Sequence, residues 1–519
     1  MGAIRKKGSG NLLMGATVLA AASLLVKVIG VIYKIPLAHI LGDDGMGYFN
    51  CAYAVYTFFF LLCSAGVPKA ITILVSKGSD DKSLNHEYDI LHTAAIFFFF
   101  LGLTLASVLA ILSAQIAAFI GNTGARLSML AISPAIPFIS VSAVYRGYLN
   151  GRLRFGSVAI SQCIEAILKL ALGIILVPIF TNFTGSKEIG AALASLSISI
   201  GSLVTFLHVY INVKSLVKRK KARQNCKFSF VALKQVLEIS LPVTASSAVI
   251  SLVNVIDLAV IMRQLSSLGY SEFVSSVMYG NYTTLAVPMF NFALSMTTSI
   301  CVSLLPLLAE CERSGDGPKR GELFDGALRL VAFISVPLTV LFMLFPVEIL
   351  SLLFERGSVV LGAPLLSFLS VSVALISLLT LINTALEAKG AYVAPLISML
   401  IGCAVKLAFS YSLVGKEGME IIGAPIGTAA SYLVSLGISI VLYIHKEGKI
   451  SVIAKRFIIA VINSTIAAFS VLAIKKAFIP IEQTAVHTIL LLAIYGAIYI
   501  GLSLLSGIIS IKQLRDMAK

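Results

Sequence analysis

Long apolar stretches follow one another along this chain with little polar sequence between them, and that succession decides what it can fold into. A helix needs roughly 20 apolar residues to cross the hydrocarbon core of a bilayer, and about fourteen stretches reach that length. Their approximate limits are 12–37, 46–75, 90–120, 128–148, 155–180, 189–213, 234–261, 276–308, 325–354, 362–386, 391–413, 421–444, 453–474 and 485–507. Inside a bilayer each backbone N–H and C=O must be satisfied within its own segment, so these stretches are expected to be helices. The expected fold class is an all-α polytopic membrane protein. Only 12% of the 519 residues are charged, against about 25% in soluble proteins. The net charge of +16 does not imply a nucleic-acid partner, because no RNA or DNA motif and no soluble domain accompanies it.

The basic residues instead fix an expected orientation. One set of loops holds Arg5 to Lys7, Arg146, Arg152, Arg154, the cluster Lys214 to Lys227, Lys446 to Arg456 and Lys519. It carries about 26 basic residues against about 7 in the opposite set, which places it and both termini in the cytoplasm. The seven cysteines form no CxxC pattern and no Cys/His cluster, so neither a disulfide framework nor a metal site is expected.

The chain repeats itself. "LNGRLRFGSVAISQCIEAILKLALGIILV" from Leu149 and "LEAKGAYVAPLISMLIGCAVKLAFSYSLV" from Leu386 align at a constant offset. Ser161 falls on Ser398, and Lys169-Leu170-Ala171 on Lys406-Leu407-Ala408. "IGA" at Ile189 recurs at Ile422, and "YFN" at Tyr48 loosely matches "YGN" at Tyr279. The expected organisation is an N-lobe over 1–213, a basic linker over 214–233, a C-lobe over 234–445, and two further spans with a tail over 446–519. Two parallel six-helix repeats with a substrate path between them are a transporter design.

An ionisable residue inside a span marks a functional site by default. Lys27 and Lys34 are seven apart and lie within about 20° of one helix face. Lys34 precedes Pro36 near the end of the span, where a bend is expected. Glu165 and Lys169 stand at i and i+4 in the favourable order; Lys169 maps onto Lys406, but Glu165 maps onto Gly402. Asp257 is the clear intramembrane acid of the second half; it is expected to pair with Lys406, carry a proton or bind a cation. Lys27, Lys34, Lys169 and Lys406 are the candidate substrate-binding residues, with Glu165 and Asp257 in support. Lys69 and Arg146, at span ends, are expected at lipid head groups.

No P-loop, GxSxG, HExxH or GxGxxG context occurs, so no catalytic residue, metal or cofactor is expected. "GDDG" at Gly42 is read as a turn between glycines. Embedded cations outnumber acids, which suits an anionic cargo such as a lipid-linked diphosphate, since lysine presents a point charge to phosphate.

"LVKVIGVIYKIPLAHILGDDGMGYF", "AGVPKAITILVSKG", "YRGYLNG" and "SQCIEAILKLALG" follow one another here, and in this order the chain resembles the polysaccharide transport family. It is more similar still to the stage V sporulation protein B-like branch, beside the MurJ-type lipid II flippases of the multidrug/oligosaccharidyl-lipid/polysaccharide exporter superfamily. The resemblance covers essentially the whole chain. It implies two lobes, a central cavity lined by cations, alternating access, and two extra helices forming a lipid groove. It places Lys27 on one cavity position and Lys34 at or beside a second. Apolar residues around Phe58–Phe60 and a tyrosine near Tyr282 stand where the lipid II flippases have arginines. Span 11 offers Lys406 in place of an acid, so no obligatory sodium site is expected.

The function so expected is translocation of a polyprenyl-diphosphate-linked saccharide, lipid II or a related cell-wall or polysaccharide precursor, from inner to outer leaflet of a bacterial plasma membrane. The partners expected are that lipid-linked oligosaccharide, membrane lipids, and protons or the membrane potential as the driving force. The alternatives are an ion-coupled multidrug exporter of the same fold and a membrane glycosyltransferase, the latter disfavoured by short external loops.

Overall fold

The computed structural model describes residues 2–76, 81–219, 228–354, 356–391, 393–447, 451–478 and 485–509. Every regular element among them is helical: α1 (Gly2–Ser64), α2 (Val67–Ser76), α3 (Asp81–Ile111), α4 (Ser113–Ile120), α5 (Ala125–Ile132), α6 (Ala135–Gly151), α7 (Phe155–Thr184), α8 (Lys187–Arg219) and α9 (Phe230–Ser267) come first. There follow α10 (Glu272–Asn281), a π-turn (Tyr282–Ala286), α11 (Val287–Ser314), α12 (Gly317–Leu344), α13 (Pro346–Ser351) and α14 (Arg356–Ala388). The chain continues with α15 (Val393–Val414), a 3₁₀ turn (Glu420–Ile422), α16 (Gly423–Glu447), α17 (Ser451–Phe478) and α18 (Ala485–Leu505).

Among the described residues twelve helical segments are long and apolar enough to cross a bilayer, or thirteen if α5 and α6, bent by 40° at their junction, form one span. One of the twelve, Ile32–Ser76, contains a break. Within α1 the helix runs straight through Pro36, and the non-helical position is Gly42, at φ 72° and ψ −179°. The bend expected at Pro36 therefore falls at the "GDDG" turn, because a residue with that φ is cheap only for glycine.

The chain forms two compact units, 1–266 with 270–280 and 267–269 with 281–519. The core of the first joins Val67 and Ile71 of α2, Leu91 of α3, Val144 and Tyr148 of α6, Val209 of α8 and Val236 of α9. Small residues let these helices touch, as they must where lipid offers no hydrophobic drive to association. A Cβ on Gly147 would lie 2.8 Å from the Pro68 carbonyl oxygen and 2.9 Å from Ile71 Cβ, so α6 and α2 meet backbone to backbone. Gly66 N–H donates to Thr244 Oγ1 of α9 at 3.2 Å. At the Gly42 end of this unit, Glu272 accepts hydrogen bonds from Thr123 Oγ1 at 2.7 Å, from Gly124 N at 3.3 Å and from Thr123 N. Asn122 Nδ2 donates to Cys51 Sγ and Ser276 Oγ, each at 3.2 Å.

In the second unit, α17 and α18 are fastened to α12. Pro337 lies inside α12, and a proline leaves the carbonyl four residues earlier without its helical donor. That carbonyl belongs to Phe333, and the Tyr499 hydroxyl of α18 donates to it at 3.2 Å. Tyr495 donates to the Pro337 carbonyl at 3.0 Å and lies 2.7 Å from Ser464 Oγ. Asp325 accepts from Arg329 at 2.7 Å and from Arg456 of α17 at 3.2 Å. Lys475 of α17 pairs with Glu348 of α13.

Two outcomes check this packing. Gly147→Ala should cost about 1–3 kcal/mol through overpacking, whereas Gly156→Ala, with nothing within 4 Å of the added Cβ, should leave the thermal midpoint in detergent nearly unchanged. Tyr499→Phe strands the Phe333 carbonyl and should cost about 1–2 kcal/mol, read as a lower midpoint and faster proteolysis between α17 and α18.

Candidate functional site

The site begins with a stripe on the second span of α1. Phe49, Tyr53, Tyr56 and Phe60 are spaced by four, three and four residues, which puts them on one helix face. Neighbouring ring centroids along the stripe are 5.8–6.0 Å apart. Tyr33, on the first span, meets Phe49 edge to face at 6.3 Å. Its ring is buried, and its hydroxyl donates to the Ala194 carbonyl of α8 at 3.4 Å.

One lysine enters this aromatic wall. Lys169 of α7 places Nζ 4.9 Å from the Tyr33 ring centroid and 5.0 Å from that of Tyr53. An ammonium held over two ring faces gains about 0.5–2 kcal/mol, more as water is removed. Lys34 Nζ donates to Asn50 Oδ1 at 3.3 Å.

Glu165 does not close an ion pair with Lys169, one turn away. Its Oε2 lies 2.7 Å from Arg146 NH2, while Arg146 Nε donates to Ser161 Oγ at 2.9 Å. The Arg146 side chain is only 17% exposed. The head-group contact expected of Arg146 is thus replaced by a part-buried ion pair, because α6 carries the guanidinium against α7. The acid and the arginine pair with each other, and Lys169 is left against the ring faces of Tyr33 and Tyr53.

The second repeat handles the same positions differently. The offset that carries Lys169 to Lys406 carries Arg146 to Asn383 and Ser161 to Ser398. Ser439 Oγ of α16 lies 2.9 Å from Asn383 Oδ1 and 3.0 Å from Ser398 Oγ, so a neutral network replaces the ionic one. Gly402, in place of Glu165, packs against α16 so closely that a Cβ would lie 2.8 Å from the Ser431 carbonyl oxygen. Lys406 is half-buried on α15. Tyr432 stacks on Phe290 of α11 at 6.1 Å, and Tyr282 OH lies 3.4 Å from Thr428 Oγ1.

The other candidates are dispersed. The Lys27 side chain lies outside the described residues, as do residues 220–227 of the basic linker. Lys69 is exposed on α2. Asp257 is buried on α9 in the first unit, and Lys406 belongs to the second. Among the described residues no group of three His, Cys, Asp or Glu side chains converges on a point where a cation could sit.

Sequence reasoning missed the tyrosines at 33, 53 and 56 and the partner of Glu165. The tyrosine spacing was a visible signal, whereas the Arg146–Glu165 contact crosses two helices and leaves no local pattern. It also missed Glu87, which reads as part of a solvated loop but is 2% exposed and paired with Arg152.

The geometry can hold an anion. An ammonium held on an aromatic wall keeps its affinity for a negatively charged ligand, and phosphate oxygens suit lysine's point charge.

Comparison with known proteins agrees with this fold. Over 97% of both chains, the protein is 24% identical to stage V sporulation protein B of Bacillus subtilis (strain 168). It is 22% identical to the lipid II flippase MurJ of the same organism over 95% of each chain. A solved structure of the lipid II flippase MurJ in an inward closed conformation superposes with a TM-score of 0.70 at 16% identity, covering 97% of this chain and 100% of the other. The chain shares that fold, a multi-pass helical membrane architecture. The family model described as polysaccharide biosynthesis protein matches residues 12–312, more than half of the chain, and the protein belongs to that family.

Proposed function

We propose that this protein moves a polyprenyl-diphosphate-linked saccharide, lipid II or a related cell-wall precursor, from the inner to the outer leaflet of a bacterial plasma membrane. The observation that carries the reading is Lys169 seated over the faces of Tyr33 and Tyr53, with Glu165 paired to Arg146 rather than to that lysine. Likeness in sequence to the lipid II flippase MurJ supports a lipid-linked cargo.

In this mechanism the diphosphate enters between Lys34 and Lys169, with Lys27 on nearly the same face of α1 and Lys406 as the counterpart in the second repeat. The lobes 1–213 and 234–445 rock about the basic linker, and both termini stay in the cytoplasm. Protons or the membrane potential supply the drive. The lysines attract the diphosphate from one side and release it when the lobes separate on the other. The saccharide travels in the aqueous space while the prenyl tail remains in lipid, and spans 13 and 14 guide that tail. Lys69 meets lipid head groups.

The test is complementation in bacteria depleted of their lipid II flippase, with lipid II exposure on the outer leaflet as readout. Lys169→Ala should lower transport at least tenfold, consistent with about 1.5–3 kcal/mol for a charge-assisted contact, and Lys169→Arg should retain most of it. Full transport by Lys169→Ala overturns the reading.

A second outcome concerns the ion pair. Arg146→Gln alone leaves a part-buried carboxylate without its guanidinium, and Glu165→Gln alone leaves a part-buried guanidinium without its carboxylate; each should destabilise by about 1–3 kcal/mol. The double variant should recover much of that loss and keep transport, measured as a thermal midpoint and a lipid II exposure rate for all three.

A further inference from the structure

Between α3, α6 and α8 of the first unit lies a groove of about 410 Å³ that the aromatic wall of the proposed transport site does not use. Phe99, Phe100, Tyr145, Phe206 and Tyr210 supply its sides, and Phe100, 60% exposed, stands along its open edge. The ring centroids of Tyr145, Phe206 and Tyr210 sit 6.0–6.2 Å from one another, a stiff aromatic surface. At one end the chemistry changes. Exposed His92 and Lys214 stand there, and Lys214 Nζ lies 5.4 Å from the Tyr210 ring centroid.

That end is the edge of the membrane. His92 is five residues into the apolar span that starts at Glu87, and Lys214 is three residues from the end of the span that stops at Val217. From this rim the groove runs about 10–12 Å along the helices to Phe99 and Phe206, at 1.5 Å per residue. The basic run Lys214 to Lys227 continues from the same rim in sequence. Glu87 adds no acid to the rim, since it is buried against Arg152.

We infer that this groove holds one anionic phospholipid, with its phosphate at His92 and Lys214 and an acyl chain against the aromatic sides. The lining contains no Asp, Glu, Asn, Gln, Ser or Thr, and its sides between the rim and Phe99 are mostly apolar, which suits an acyl chain. Basic pockets between spans at the cytoplasmic surface take anionic head groups for the same electrostatic reason. Assignment of the lipid to the inner leaflet rests on the orientation proposed above; the groove and its basic rim do not.

The chain has no tryptophan, so Phe99→Trp makes a single reporter at the end of the groove, and Phe469→Trp, on an exposed position of α17, makes a control. The full chain is placed in phosphatidylcholine vesicles containing brominated-chain phosphatidylglycerol or brominated-chain phosphatidylcholine. Quenching of the Phe99→Trp reporter should favour the glycerol lipid about fivefold, and the control should show no preference. Adding His92→Ala and Lys214→Ala should bring the ratio close to one, and Phe100→Trp should repeat the ordering. Equal quenching by the two lipids overturns the inference, as does a preference that survives both alanines. Displacement by millimolar inorganic phosphate assigns the rim to a free anion, and displacement by equimolar polyprenyl diphosphate assigns the groove to the cargo; either result also overturns it.

Discussion

Where Glu165 directs its charge decides the character of the whole candidate site. A carboxylate one turn before a lysine in the same helix is placed to neutralise it, and had it done so the aromatic wall would face a closed, self-satisfied pair. Arg146 reaches across from α6 and takes the carboxylate at 2.7 Å, with Ser161 fixing the other edge of the guanidinium. Lys169 then finds its stabilisation in the faces of Tyr33 and Tyr53. Ring faces favour a cation without cancelling its charge. An ion pair of this kind adds little to stability by itself; its consequence is electrostatic.

The two repeats solve one problem with different chemistry. Each must bring a lysine-bearing helix against its neighbours without leaving polar groups stranded in lipid. The first repeat uses charge against charge, Arg146 with Glu165. The second uses Asn383, Ser398 and Ser439, and gives the glutamate's place to Gly402 so that α15 can approach α16. What the repeats keep in common is the lysine, which is why the repeat alignment found Lys169 and Lys406 together. It could not find what surrounds them, since each set of partners comes from helices distant in sequence.

The same division explains what was legible elsewhere. Span positions, the Gly42 turn and the intramembrane lysines depend on local composition, and local composition is what a sequence displays. The helices joined by backbone approach at Gly147 or Gly66 depend on the absence of a side chain at a point known only after folding. Pro36 and Pro337 show the limit well. Both remove a helical hydrogen bond by the same rule, and both helices run on through them; in α12 the freed carbonyl is filled by a tyrosine of α18. Polar loops mislead for a related reason: Glu87 lies in a stretch that reads as solvated, and its burial follows from Arg152 folding back over it.

The π-turn at Tyr282–Ala286 changes the phase of the helix that contains it. It ends two residues before Pro288, and the N–H of Val287 bonds to the carbonyl of Tyr282, five residues back. Such a turn absorbs one extra residue, worth about 100° of rotation. Eight residues from Tyr282 to Phe290 therefore count as seven, and two side chains that a regular helix would set about 80° apart come to lie within about 20° of a line. That line meets Thr428 and Tyr432, themselves one turn apart on α16. The wider turn thus works as a vernier: it brings two otherwise mismatched rows of side chains into coincidence, and without it one of the two contacts to α16 would be out of step.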